Sequence, residues 1–254
     1  MSKFVAVILV AAAFAYTGRA ALTSLFRGAL WNVVQACIAN HALTGAAFPC
    51  LEVNVSDGDQ RGYAVLQSPF GRPDLILTPT RKVVGVEDPW LQTSAAPNYL
   101  EDAWNARGFL SHDRHRPLTH VDVALAVNSR FSRTQDQLHI HIGCLSRGAK
   151  RMFEALATEL PEGKWFHFDK SIRGLRFSAR LVAEDTLAGV NPFRLAAEGL
   201  PERIEDRSLM TMVLAGIELA DGRVEFVLLA WSDDPDETVD QIAASNFLDH
   251  SCSS

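Results

Sequence analysis

The chain has no excess of positive charge: 30 aspartates and glutamates outnumber 24 lysines and arginines, for a formal net charge of −6 and a pI near 5.7. Binding to DNA or RNA draws on a basic surface that displaces counterions from phosphates, so the composition argues against a nucleic-acid partner. A nucleotide as substrate stays open. The four cysteines, Cys37, Cys50, Cys144 and Cys252, form no Cys-x-x-Cys pair and no metal-ligand spacing, which argues against zinc and dithiol redox motifs. The longest uninterrupted apolar run, Phe4 to Tyr16, falls short of the roughly 20 residues of a spanning helix. There is no low-complexity stretch, no long linker and no residue-level repeat. With 254 residues, 48% of them hydrophobic, the chain is long enough for one large domain or two small ones.

What is present begins with that apolar run. It sits behind Lys3 and ends at Thr17-Gly18-Arg19-Ala20-Ala21, the pattern of an export signal; Ala20-Ala21-Leu22 and Leu25-Phe26 can extend it past Arg19. Export makes disulfides the expected use of the cysteines. Three pairings are open. The shorter loop joins Cys37 to Cys50 and leaves Cys144 for Cys252, but nothing in the sequence chooses among the three.

Periodicity then sets out an α+β order. Leu22 to Ile38 has a helical period. Tyr63–Gln67 and Asp74–Thr78 flank a turn-rich linker and read as a hairpin. Asn98, with Glu101 three residues on, resembles a capping box for a helix over 98–111. Ser111 to His120 reads as a loop and Val121 to Asn128 as a strand. Helices are expected over 149–160 and 192–205, and a second hairpin, 210–218 with 223–231, around Asp221-Gly222. The same strand-then-helix order recurs in both halves, so one body with two lobes is expected, the second from about residue 165.

Gln137-Leu138-His139-Ile140-His141-Ile142 carries the chemistry. On a strand, Gln137, His139 and His141 share one face, and Leu138, Ile140 and Ile142 form the apolar back. Two imidazoles roughly 6.5–7 Å apart can both reach a diphosphate. A neutral imidazole attacks phosphorus readily and, once phosphorylated, leaves readily. The polar stretch before it, with Asn128, Arg133, Thr134 and Gln135, offers donors for an anion. Gln137 cannot carry a proton but can donate and accept hydrogen bonds. The same pair of histidines could instead be metal ligands, with His112, His115, His120 or His167 as thirds, although no Glu or His falls at a spacing that completes a set. Arg173 and Arg176 are further candidates for the diphosphate, against the commoner case of solvated arginines. Arg81 and Lys82 are expected to be solvated or to face lipid.

Gln-φ-His-φ-His-φ resembles the signature of the histidine-triad superfamily, with Gln137 in place of its first histidine. Ile76-Leu77-Thr78-Pro79-Thr80, Ala126-Val127-Asn128-Ser129-Arg130, Arg133-Thr134-Gln135 and Leu138-His139-Ile140-His141-Ile142, together with the cysteine pattern and the apolar N-terminus, are similar to the bacterial CDP-diacylglycerol pyrophosphatase family. The resemblance runs through most of the chain and is looser around Arg173-Gly174, Ala179-Arg180 and Cys252. It implies a histidine-triad-like antiparallel sheet with packed helices over 31–254, and a retained membrane anchor over 1–30. It also implies an inner-membrane location with the catalytic domain in the periplasm. The implied activity is hydrolysis of CDP-diacylglycerol, without a cofactor or metal, to CMP and phosphatidate through a cytidylyl-histidine, with His139 as nucleophile and His141 as its assistant. A transferase passing the cytidylyl group to another acceptor and a non-catalytic lipid- or nucleotide-binding protein are the alternatives.

Overall fold

The computed structural model describes residues 26–68, 74–111, 117–168, 176–182, 184–200, 204–233, 242–249 and 252. Helix α1 (Ala29–Thr44) contains neither glycine nor proline and buries Leu30, Val34 and Cys37, spaced four and three residues apart on one stripe. Gly45 ends it at φ +75°, a conformation that favours glycine, and donates its N–H to the His41 carbonyl at 2.8 Å. Helix α2 (Tyr99–Asn105) buries Tyr99, Leu100, Ala103 and Trp104 and tightens into a 3-10 turn over Ala106–Ser111. Helix α3 (Arg147–Glu159) is capped by the Ser146 hydroxyl, which accepts from the Ala149 N–H, and buries Ala149, Phe153 and Ala157. Helix α4 (Pro192–Gly199) starts on Asn191, whose side chain accepts from the Phe193 and Arg194 N–H groups.

These helices cover both faces of one sheet. Its strands are β1 (Glu52–Asn54), β2 (Tyr63–Gln67), β3 (Leu75–Pro79), β4 (Val123–Val127), β5 (Ile140–Leu145), β6 (Trp165–His167), β7 (Phe177–Val182), β8 (Met210–Glu218), β9 (Val224–Ser232) and β10 (Leu248–Asp249). They lie in the order β1-β2-β3-β5-β4-β8-β9-β7-β6, every pairing is antiparallel, and β10 adds to β5 beyond the end of β3. The expected α+β architecture is therefore observed. On one face, Leu77, Leu125, Ile140, Ile142 and Leu214 pack under α2 and α4. On the other, Ala124, Ala126, Val213 and Leu229 pack under α3, and Ala64, Leu66 and Ile76 under α1.

The recurrence of order has a structural counterpart. Elements α1, β2, β3, α2, β4, β5 are followed by α3, β6, β7, α4, β8, β9. The first set occupies the sheet as β2-β3-β5-β4 and the second, reversed, as β8-β9-β7-β6, meeting at β4 and β8. At that junction Leu125, the middle residue of β4, stands opposite Leu214, the middle residue of β8. Two units of one topology thus share a continuous sheet about a pseudo-twofold axis.

Several boundaries differ from expectation. The first helix spans Ala29–Thr44 rather than 22–38, and residues 22–25 lie outside the described ones. Asn98 makes no cap: its amide nitrogen donates to the Leu187 and Val190 carbonyls at 2.8 Å and to Glu101, so tertiary partners outcompete the local motif. A true capping pair forms later, where the Asp122 carboxylate accepts from both the N–H and the hydroxyl of Thr119. The last expected helix is α4 alone, ending at Gly199. Among the described residues, no helix is long and apolar enough to cross a membrane; the anchor expected over 1–30 lies mostly outside them, as do Arg173, His112 and His115.

Candidate active site

Strand β5 lies between β3 and β4, where Ile76, His141 and Ala126 form one cross-strand row. Thr78 and Asn128 follow two residues beyond Ile76 and Ala126, on the two strands that flank β5. The regular ladder begins only at Ile140, but Gln137–His139 keep the alternation: Leu138 is buried in the core under α2, while Gln137 and His139 are buried on the other side. The expected sharing of a face is therefore observed.

The His139 ring is held in one state. Its Nδ1 lies 2.7 Å from the Gln137 carbonyl oxygen. A carbonyl oxygen only accepts, so the proton sits on Nδ1 and the Nε2 lone pair is left for chemistry. Burial lowers the His139 pKa from 6.5; the Gln137 carbonyl works against that shift, and the positive charge of Arg133 adds to it. The ring is neutral at pH 7. His141, less buried, meets it edge-on with 5.1 Å between centroids. The two imidazoles thus form a pair able to act on one phosphorus centre.

The remaining candidates divide sharply. Asn128, just past the end of β4 next to β5, is buried, and its Oδ1 accepts from the Ala244 N–H at 2.8 Å. Gln137 faces the turn after β3: its nitrogen donates to the Pro79 and Arg81 carbonyls at 3.0 Å and to Thr78 Oγ1, and its oxygen accepts from the Val83 N–H. Arg133 is buried in a bidentate ion pair with Glu87 at 2.7 and 2.8 Å, with Asp136 at 3.4 Å. Its fork is thus engaged by carboxylates rather than turned to the histidines. Gly85 makes room for this pair, since a Cβ there would lie 2.0 Å from Arg133 Nη1. Gln135 binds the start of α1, accepting from the Leu30 N–H and donating to the Phe26 carbonyl, and Arg27 pairs with Asp136 beside it. Thr134 is exposed.

Sequence reading missed what holds this loop. Asp233 is buried and accepts from the hydroxyls of Ser129, Ser132 and Thr211 and from Trp231 Nε1. No local signal marks Asp233 or Glu87, because each acts on a partner distant in sequence. The disulfides are Cys37–Cys50 and Cys144–Cys252. The second fastens the C-terminal segment beside β5, and that segment supplies the N–H bound by Asn128.

Among the described residues, no group of three His, Cys, Asp or Glu could hold a metal ion. His120 packs against Trp104 and Phe226 on the opposite face, with Nε2 on the Glu225 carbonyl. His167 is on β6, five strands from β5 and so on the order of 24 Å away.

The fold and site define the class: an antiparallel α+β protein of two topologically equivalent units, with a histidine pair on a central strand of which His139 is held neutral in one tautomer. The family model for CDP-diacylglycerol pyrophosphatase matches residues 26–254. A CDP-diacylglycerol pyrophosphatase of Yersinia pestis is 33% identical over 225 residues, covering 88% of this chain and 83% of the relative. The chain belongs to the CDP-diacylglycerol pyrophosphatase family, hydrolases that act on a diphosphate bond.

Proposed function

We propose that this protein hydrolyses the diphosphate of CDP-diacylglycerol in two displacements. Nε2 of His139 attacks the cytidine-side phosphorus, forming an N–P bond as the bridging P–O bond breaks and phosphatidate departs. His141, beside it, gives a proton to the leaving oxygen. Water then attacks the same phosphorus, breaks the N–P bond and releases CMP. The Asn128 amide donates to the non-bridging oxygens, where charge builds. The observation that carries this reading is the 2.7 Å contact from His139 Nδ1 to the Gln137 carbonyl, which leaves Nε2 as the lone pair of a neutral ring.

The setting belongs to the same proposal. The apolar run Phe4–Tyr16 tethers the catalytic domain to the inner membrane, with that domain in the periplasm. Two disulfides support an oxidising compartment, and a diacylglycerol substrate supports proximity to a bilayer. The test is turnover of CDP-diacylglycerol in detergent with chelator present. CMP release by the wild type, lost by at least roughly a thousandfold in His139→Asn, is expected; activity only after a divalent metal is restored would move the histidines into a ligand role.

A further inference from the structure

A cleft of about 420 Å³ lies between α1 and the turn after β3, lined among others by Trp31, Gln35, Asp59, Gln60, Thr80 and Lys82. That volume falls within the range of small-molecule sites, roughly 300–1,000 Å³. We propose that this cleft is the nucleoside site, which holds the cytidine while its phosphate reaches His139. The inference rests on the proposed substrate and deepens it.

Three observations lead there. First, the cleft adjoins the histidines through bonded backbone. Thr80 and Arg81 directly follow β3, the strand paired with β5 through Ile76 opposite His141. The Gln137 amide binds the Arg81 carbonyl at 3.0 Å, and Gln135 binds the Leu30 N–H next to Trp31. Second, the lining suits a base and ribose rather than an acyl chain. Half-buried Trp31 offers a flat aromatic surface, and exposed Gln35, one helical turn further along α1, offers an amide. Base-on-aromatic stacking tolerates any base, whereas an amide can donate to O2 or N3 of a pyrimidine and accept from its amino group. Gln60 supplies a second amide from the opposite wall, and the Asp59 carboxylate suits ribose hydroxyls. Third, the cleft carries two cationic side chains. The Arg81 guanidinium is stacked on Trp90 at 4.2 Å, and Lys82, which also lines the cleft, is exposed and can meet a phosphate. The walls are braced independently of any ligand: Thr80 donates to the Asp59 carbonyl at 2.7 Å, and the Cys37–Cys50 bridge pins α1.

The experiment uses the full chain in detergent and two readouts. Calorimetry with CMP needs no turnover, and Trp31→Leu is expected to weaken CMP binding roughly 10- to 100-fold. With CDP-diacylglycerol, the same variant is expected to raise KM by a similar factor while kcat stays within about threefold. Gln60→Leu, at an exposed loop position, guards against misfolding of the tryptophan variant. It is expected to shrink the preference for CDP- over UDP-diacylglycerol without changing the melting temperature. Unchanged CMP affinity and unchanged base preference in both variants would overturn the nucleoside site, even with CDP-diacylglycerol turnover intact. CMP binding that depends on Trp31 in a protein that releases no CMP would keep the cleft and reject the hydrolase.

Discussion

His139 illustrates how backbone and burial together prepare a side chain. The Gln137 carbonyl fixes the proton on Nδ1, and burial keeps the ring neutral below its ordinary pKa of 6.5. Because the folded-state pKa is depressed, the unfolded chain takes up this proton first as the pH falls. The contribution of His139 to stability is therefore present above about pH 6.5 and is lost on acidification through the folded-state value. Denaturant titrations from pH 8 to pH 5 are expected to show stability falling in the wild type more steeply than in His139→Asn. At Arg133 the decisive fact is the partner. Removing Glu87 leaves a buried guanidinium with only Asp136, so Glu87→Gln is expected to cost roughly 3 kcal/mol in urea unfolding. The double change Glu87→Leu, Arg133→Met should recover most of that loss, because no charge is then left unpaired. Gln137 and the two histidines were legible as one face because strand alternation needs only local sequence. Arg133 was not legible as a structural cation, because Glu87 lies 46 residues away.

Among the elements, both hairpins followed from apolar runs bounded by turn signals and the histidine strand from alternation, and Gly222 at φ +85° closes the second hairpin as its Asp-Gly signal implies. The short strands β1, β6, β7 and β10 were not foreseen, since two to six residues without a clear alternation or a flanking turn signal do not stand apart from loops. Helix α2 carries a cost of its own. Burial, compounded by the nearby charges of Glu101, Glu52 and Asp57, pushes the Asp102 carboxyl up to about 6. A carboxylate with a raised pKa costs stability as the pH rises from its ordinary value of 3.8 toward the raised one, and the cost is complete above it. Asp102→Asn is therefore expected to raise the melting temperature by a few degrees at pH 8, by about half as much at pH 5 and by little below about pH 4. Strand β10 joins the architecture to the site. Breaking the Cys144–Cys252 bridge, whose separation is 108 residues, is expected to cost about 4–5 kcal/mol on a chain-entropy reckoning. Because that bridge also holds the segment bonded to Asn128, Cys144→Ser with Cys252→Ser should lower kcat at temperatures where the fold persists.

At the scale of the whole molecule, two topologically equivalent units share a sheet, yet only the first carries the histidine pair. The element order showed this recurrence, but residue identity did not, since a shared topology needs only matching apolar patterns. The second unit completes the sheet: β8 covers the exposed side of β4, so the histidine strand lies deep in a rigid structure rather than near an edge. The three possible cysteine pairings could be resolved only by the fold, which brings the C-terminus beside β5. The central claim is that His139 bonds covalently to the cytidine-side phosphate. The direct measurement is rapid mixing of the protein with CDP-diacylglycerol labelled in that phosphate, followed by an alkaline denaturing quench and location of the label by peptide mapping. A label on the His139 peptide, stable in alkali, released by acid and absent from His139→Asn, is the result expected. CMP release at full rate with no label on the protein at any time would contradict it and assign the reaction to direct attack by water.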